Sequence, residues 1–262
     1  MNCTSGYLSK FEEVRELAAL AETTSGNISL TQKNTMCSSG LVLLCGYFEG
    51  FLRDICKEFV NEINDSSLTA RGLPDSVMYE HTLHCVEKYK IKNKTLFCDL
   101  ISAISESNKV ELNADKFSAT NANPTVDNIE RLFEAFDMPL ILDVISIEDY
   151  NFDSMYNVES QVNASMLNKI HLAVGGDDTA RGAVLAEIER KWVSKRKRRR
   201  VGYVGFIDEL LKVRNRIAHG ESNPVVTPTE LSDAVETISI LSISLEVKLD
   251  SKLQLLLNQP AQ

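Results

Sequence analysis

Apolar residues recur along this chain at helical spacing, and alternation of the kind a strand needs is hard to find. Leu8, Phe11, Val14, Leu17 and Ala21 share one face of a helix expected over Tyr7–Glu22, which Ser25-Gly26-Asn27 breaks. Leu41, Leu44, Cys45, Phe48, Phe51, Leu52, Ile55 and Phe59 form a wide stripe on a long helix expected from Thr31 to Ile63. Glu49 and Arg53 on that helix stand at i, i+4 and are expected to form an ion pair. Two shorter helices are expected over Asp75–Lys90 and Lys94–Ser107, then an irregular polar stretch, Val110–Thr120, with room for a short strand. Asn123-Pro124-Thr125 opens a helix running to Phe136, and Met138-Pro139 closes it. Ile145–Asn163 is acidic and has no clear period. Met166–Val174 and Thr179–Trp192 read as helices on either side of a Gly175–Asp178 turn.

The last long helix announces itself. Thr227-Pro228-Thr229-Glu230 is a capping box with proline at the first helical position, and Leu231, Val235, Ile238, Leu241, Leu245 and Leu249 follow on one face. With no hairpin signal anywhere, the pattern predicts an all-α bundle. The length suits one large domain, 1–262, or one domain with an insertion.

The most chemically equipped segment is Tyr203–Ser222, YVGFIDELLKVRNRIAHGES. Phe206, Leu210, Val213 and Ile217 fall within roughly 60° of one another on a helical wheel and are expected to face a core. With Leu210 at zero, Asn215 falls at about 140° and His219 at about 180°, both on the far side. Arg214 falls at about 40°, at the flank of the stripe. Gly220 is placed to stop the helix in the left-handed conformation.

RNRIAHG resembles the Arg-polar-x-x-x-His signature of the HEPN superfamily, with Arg214, Asn215 and His219 at its three positions. Gly40–Val60 and Asn123–Phe136 resemble other segments of defence-associated, RiboL-PSP-type members. The resemblance implies an antiparallel helical bundle, with its core over roughly 31–64 and 203–257 and the middle, roughly 75–200, as an elaboration, and a metal-independent endoribonuclease of phage-defence or toxin–antitoxin loci. It also implies a homodimer whose site lies between two copies, and products ending in a 2′,3′-cyclic phosphate and a 5′-hydroxyl. His219 would then be the general acid or base, Arg214 the phosphate-holding group, and Asn215 the residue that orients one or the other. A different class of function stays open beside it: a non-catalytic helical module that binds RNA, a nucleotide or a partner protein. Some toxin-type relatives carry a modifiable tyrosine two residues after the histidine. That position here is Glu221, so the same control is not expected.

Charge sharpens the picture at one place. Net charge is −9, yet Arg190–Arg200 holds eight of the 28 basic residues and no acid. General coating of nucleic acid is therefore not expected, while Lys195, Arg196, Lys197, Arg198, Arg199 and Arg200 suit a local contact with RNA phosphates, with a solvated loop and a nuclear-import signal as the alternatives of the same composition. The 6 cysteines form no CxxC pair and are expected to be free, mostly buried thiols. His81 and His84 share a face at i, i+3, but no local carboxylate or thiol completes a ligand set, and His171 reads as structural. Neither a metal nor a cofactor is expected. Met1–Lys10 lacks the apolar core of a signal peptide and no apolar run approaches a membrane span, so a cytoplasmic location is expected.

Overall fold

The computed structural model describes residues 3–23, 29–90, 94–120, 123–149, 202–220 and 225–258. Among these residues every regular element is a helix, and there is no strand. The helices are α1 (Cys3–Thr23), α2 (Leu30–Asp65), α3 (Asp75–Lys90), α4 (Lys94–Glu106), α5 (Ala114–Phe117), α6 (Val126–Glu134), α7 (Ile141–Asp149), α8 (Gly202–Ala218) and α9 (Pro228–Leu257). The chain forms two compact units, Met1–Ile141 with Ile207–Gln262, and Leu142–Phe206. Residues 75–141, read from sequence as part of the elaboration, group with the core helices in the larger unit.

In the larger unit α1, α2 and α9 pack against one another. Phe11 and Val14 of α1, the α2 stripe from Leu44 to Phe59, and Leu231, Val235, Ile238, Leu241, Leu245 and Leu249 of α9 are all buried there. Tyr7 meets Phe51 edge-on, with ring centroids 5.8 Å apart, and its hydroxyl donates to Asp54 Oδ2 at 2.6 Å. By length and composition α2 matches a membrane span, contrary to the reading of its sequence. The stripe from Leu44 to Phe59 nevertheless lies inside the bundle, where burial of each large apolar side chain contributes about 1.5–3 kcal/mol, while Leu30 and Leu43 are exposed.

Both long helices start with a complete capping box. The Ser29 hydroxyl accepts from Gln32 N–H and the Thr227 hydroxyl from Glu230 N–H, each at 3.2 Å, while the Gln32 and Glu230 side chains return the bond.

Three local expectations are corrected. Val110–Thr120 contains no strand; Asn113 accepts from Lys116 N–H at 2.9 Å and caps the short α5. That helix puts Phe117 against Phe136, which in turn meets Phe59 with ring centroids 4.6 Å apart. Arg53 does not bridge to Glu49: its Nε lies 3.2 Å from Asp54 Oδ1, whereas Glu49 accepts from the Thr120 hydroxyl at 2.8 Å. The neighbouring carboxylate, already held by Tyr7, outcompetes the one a turn away. The third correction is α7, whose second half, Ile145–Asp149, falls in the stretch left without a period.

The smaller unit is described over α7 and the first turn of α8. Ser146 on α7 donates to Leu142 O at 2.6 Å and accepts from Tyr203 N–H at 2.9 Å, so a serine from another helix satisfies a donor in α8's first turn. Gly202 has φ +56°, and a Cβ there would stand 2.5 Å from Ser146 Oγ, so no other residue fits. The predicted helices 166–174 and 179–192, the turn between them, His171 and the basic strip Lys195–Arg200 lie outside the described residues.

Candidate active site

The site helix is α8, and its buried face is not the expected one. Tyr203, Val204, Ile207, Leu210 and Leu211 are buried, whereas Phe206, Val213 and Ile217 are only half-buried. On the same wheel the buried set spans an arc of about 120° that starts at Leu210, a rotation of about 90° from the predicted stripe. The helix carries two apolar sets that share Leu210, and tertiary packing chooses between them.

The rotation changes Arg214 most. Its position at about 40° falls in the middle of the buried arc rather than on its flank, and the side chain is half-buried. Its Nη1 donates to Asn215 Oδ1 at 3.0 Å. Its charge also acts on Cys45 of α2: burial pushes that thiol up to about 12, and Arg214 pulls in the opposite direction. Cys45 was legible only as a core thiol. The influence of Arg214 on it links segments far apart in sequence, which no local pattern reports.

His219 lies just past the last helical residue, yet its N–H still donates to Asn215 O at 2.9 Å, so the backbone trace continues through it. Gly220 N–H donates to Ile217 O at 3.1 Å, and Gly220 has φ +68° with open space about its Cα. The expected glycine stop is therefore present. The His219 side chain is exposed, about 140° round the helix from Arg214. Asn215, half-buried, stands between them on the wheel. Beyond the site Val226 N–H donates to Asn34 Oδ1 of α2 at 3.0 Å, which ties the start of the following segment to the core just before α9 begins.

The other histidines are elsewhere in the fold. His81 and His84 lie on the buried face of α3, with His81 Nε2 3.4 Å from Cys85 Sγ and His81 Nδ1 buried without a partner. Among the described residues no three His, Cys, Asp or Glu side chains cluster so as to hold a metal ion. Cys37, Cys45, Cys56 and Cys85 are buried free thiols, Cys3 is half-buried and Cys98 exposed.

An all-α chain whose site helix ends in Arg-Asn-x-x-x-His-Gly has the fold and the signature of a HEPN domain. Its residues 7–250 match the RiboL-PSP-HEPN family, and the chain belongs to that family. No curated protein and no solved structure matches it. Membership suggests a nuclease-like or RNA-related function.

Proposed function

We propose that the chain is a metal-independent endoribonuclease acting in a phage-defence or toxin–antitoxin setting in the cytoplasm. RNA supplies its own nucleophile, the 2′-hydroxyl, so the protein must provide a base, an acid for the leaving oxygen, and positive charge for the phosphorane. The observation that carries the reading is His219, an exposed acid–base group at a fixed helix stop within a chain that matches an RNA-related family over residues 7–250. Arg214 contributes the guanidinium and Asn215 holds it. The products are a 2′,3′-cyclic phosphate and a 5′-hydroxyl. The strip Lys195–Arg200 adds phosphate contacts that raise affinity without reading sequence.

Arg214 and His219 of one chain point in directions about 140° apart, which supports a homodimer in which each cleft draws on both copies. The inward, Asn215-bound position of Arg214 also favours a second reading. In that reading the signature is structural, and the domain is a non-catalytic module binding RNA, a nucleotide or a partner protein.

Purified protein incubated with mixed RNA in excess EDTA separates the two. Cleavage with cyclic-phosphate ends, lost in His219→Ala while the helical circular dichroism is retained, supports the nuclease. Cleavage that stops in EDTA and returns with a divalent ion overturns the metal-independent mechanism. Binding without cleavage leaves the non-catalytic module.

A further inference from the structure

Two large apolar side chains stand open to solvent close to where the site helix stops: Leu30 is 80% exposed and Val225 63%. Local hydrogen bonds fix the backbone at both. Leu30 is the first residue of α2, directly after the N-cap of the Ser29–Gln32 capping box, and Lys33 N–H donates to Ser29 O at 3.1 Å. Val225 precedes Val226, which is buried and whose N–H donates to Asn34 Oδ1 at 3.0 Å. Leu30 and Asn34 stand at i, i+4 on α2, so their Cβ atoms are about 5–6 Å apart. The Asn34–Val226 bond therefore brings Leu30 and Val225 to one corner of the larger unit.

That corner adjoins the site. Gly220, which ends the helical trace straight after His219, is five residues from Val225, a stretch that spans at most about 18 Å. Ala218, His219 and Gly220 are themselves exposed. Neither Ser29–Lys33 nor Val225–Thr227 contains an acid, and Glu230, one turn further on, is held on Thr227 by its capping box. Two chains of net charge −9 can thus meet here without setting carboxylate against carboxylate.

We propose that Leu30 and Val225 are the apolar anchors of a two-fold interface through which a second copy of this chain completes the cleft. The inference rests on the homodimer reading above and names the surface that reading needs. Arg214 and His219 of one chain diverge by about 140°, so a cleft holding both groups is incomplete without another copy, and that copy approaches at the end of α8. Interfaces concentrate their binding energy in a few central apolar residues ringed by polar ones. Leu30 and Val225 fit the first role, and the exposed Thr31 and Gln32 beside Leu30 fit the second. A two-fold axis repeats each residue, so the pair removes apolar surface from water twice over.

The test reads association apart from cleavage. Sedimentation equilibrium on the full-length chain compares the native protein with Leu30→Glu, Val225→Glu and Ile101→Glu; Ile101 is an exposed residue of α4. The first turn of α2 holds no acid, and a carboxylate is favourable there, so Leu30→Glu should keep the native melting temperature. Val225→Glu changes a residue outside any helix and decides the question if α2 does not tolerate the first change. Because a two-fold carries each change twice, either interface variant is expected to raise the dimer dissociation constant on the order of a hundredfold, and Ile101→Glu to leave it unchanged. Cleavage by the interface variants should fail at protein concentrations where the native chain still acts, and return when the concentration is raised. A native dimer that survives both substitutions overturns the proposal and leaves the ribonuclease and the shared cleft standing. An equal loss with Ile101→Glu overturns it too, by showing a general response to added charge. A native chain that stays monomeric overturns it together with the shared cleft, and whether that monomer cleaves RNA then decides the ribonuclease reading by itself. Dissociation by both interface variants of a chain that leaves RNA intact supports the interface and removes the nuclease.

Discussion

Arg214 and Asn215 are chain neighbours joined through their side chains, Nη1 donating to Oδ1 at 3.0 Å. Neighbouring helical residues project about 100° apart and do not normally face each other. The bond forms because Arg214 is long and starts from the buried arc, while Asn215 is short and sits at its edge. A guanidinium held in this way loses less freedom when it meets a phosphate than a mobile one does. The pair therefore has a structural and a chemical consequence that mutation can separate.

Arg214→Ala removes packed methylenes and a hydrogen bond from a half-buried place, and should cost about 1 kcal/mol of stability. His219→Ala changes an exposed side chain, and should shift stability by less than about 0.5 kcal/mol. Both should lower RNA cleavage, with His219→Ala losing on the order of 10²–10⁴-fold, as removal of a general acid–base group does. Urea unfolding curves beside single-turnover rates check this. Equal destabilisation by the two variants would contradict the burial difference on which the argument stands.

Gly220 offers a backbone test of the same site. It has φ +68° with no atom within 4 Å of an added Cβ, so Gly220→Ala meets no clash and feels only the left-handed backbone penalty. That penalty is about 1–2 kcal/mol, enough to loosen the last turn where Asn215 O and His219 N–H meet. Cleavage should fall several-fold, with amide exchange quickening at residues 217–220 and unchanged in α2 and α9. An unaltered exchange pattern together with full activity would remove the glycine stop from the mechanism.

A pH dependence arises on another helix, α3, at His81. Burial, followed by the charge of His84, holds its pKa down from 6.5 to about 4. His84 is itself pushed down by burial and by Lys88 and Lys116, against the pull of Glu87. The folded chain thus refuses a proton that the unfolded chain accepts between about pH 6.5 and about pH 4. Stability from this group is complete above that window, declines as pH falls through it, and is level below. The decline amounts to about 3 kcal/mol at most. His81→Leu, which also removes the unpartnered Nδ1, should flatten the difference in melting temperature between about pH 7 and about pH 5. The same slope in both proteins would show that the acid sensitivity belongs to other groups.

The legible parts of the fold were those that local chemistry decides. Thr227 and Glu230 fix the start of α9 through bonds spanning three residues, and the α9 stripe was correct from Leu231 to Leu249 because one apolar face dominates that helix. Asn113 with Lys116 carried the same kind of cap signal for α5, and could have replaced the strand expectation. The failures share a different cause. On α8, Tyr203, Ile207 and Leu211 compete with Phe206, Val213 and Ile217 for the core, and only the packed partner settles which set is buried. Glu49 went to Thr120, 71 residues away, over an Arg53 one turn along its own helix. At the candidate site the signature and the glycine stop were readable from residue type and spacing. The half-buried place of Arg214 was not, since it depends on which of two apolar sets on α8 the rest of the fold covers.

The same placement yields the most discriminating prediction, for mixed subunits. If each cleft takes Arg214 from one chain and His219 from its two-fold partner, a dimer of an Arg214→Ala chain with a His219→Ala chain contains one cleft lacking both groups and one cleft with both intact. Neither parent alone has an intact cleft. Mixing the two inactive proteins in equal amounts, after conditions that exchange subunits, should therefore restore roughly a quarter of the native rate: half the dimers are mixed and each carries one working cleft of two. Restoration should require exchange and vanish when the parents are cross-linked as homodimers first. A site built within one chain behaves differently, because every cleft in the mixture then lacks one group and no activity returns. Light scattering on the native chain supplies the companion measurement, since a strict monomer that still cleaves RNA excludes the shared cleft. Both experiments bear on the angular separation of the two side chains, which leaves His219 and Arg214 of one chain facing different surroundings.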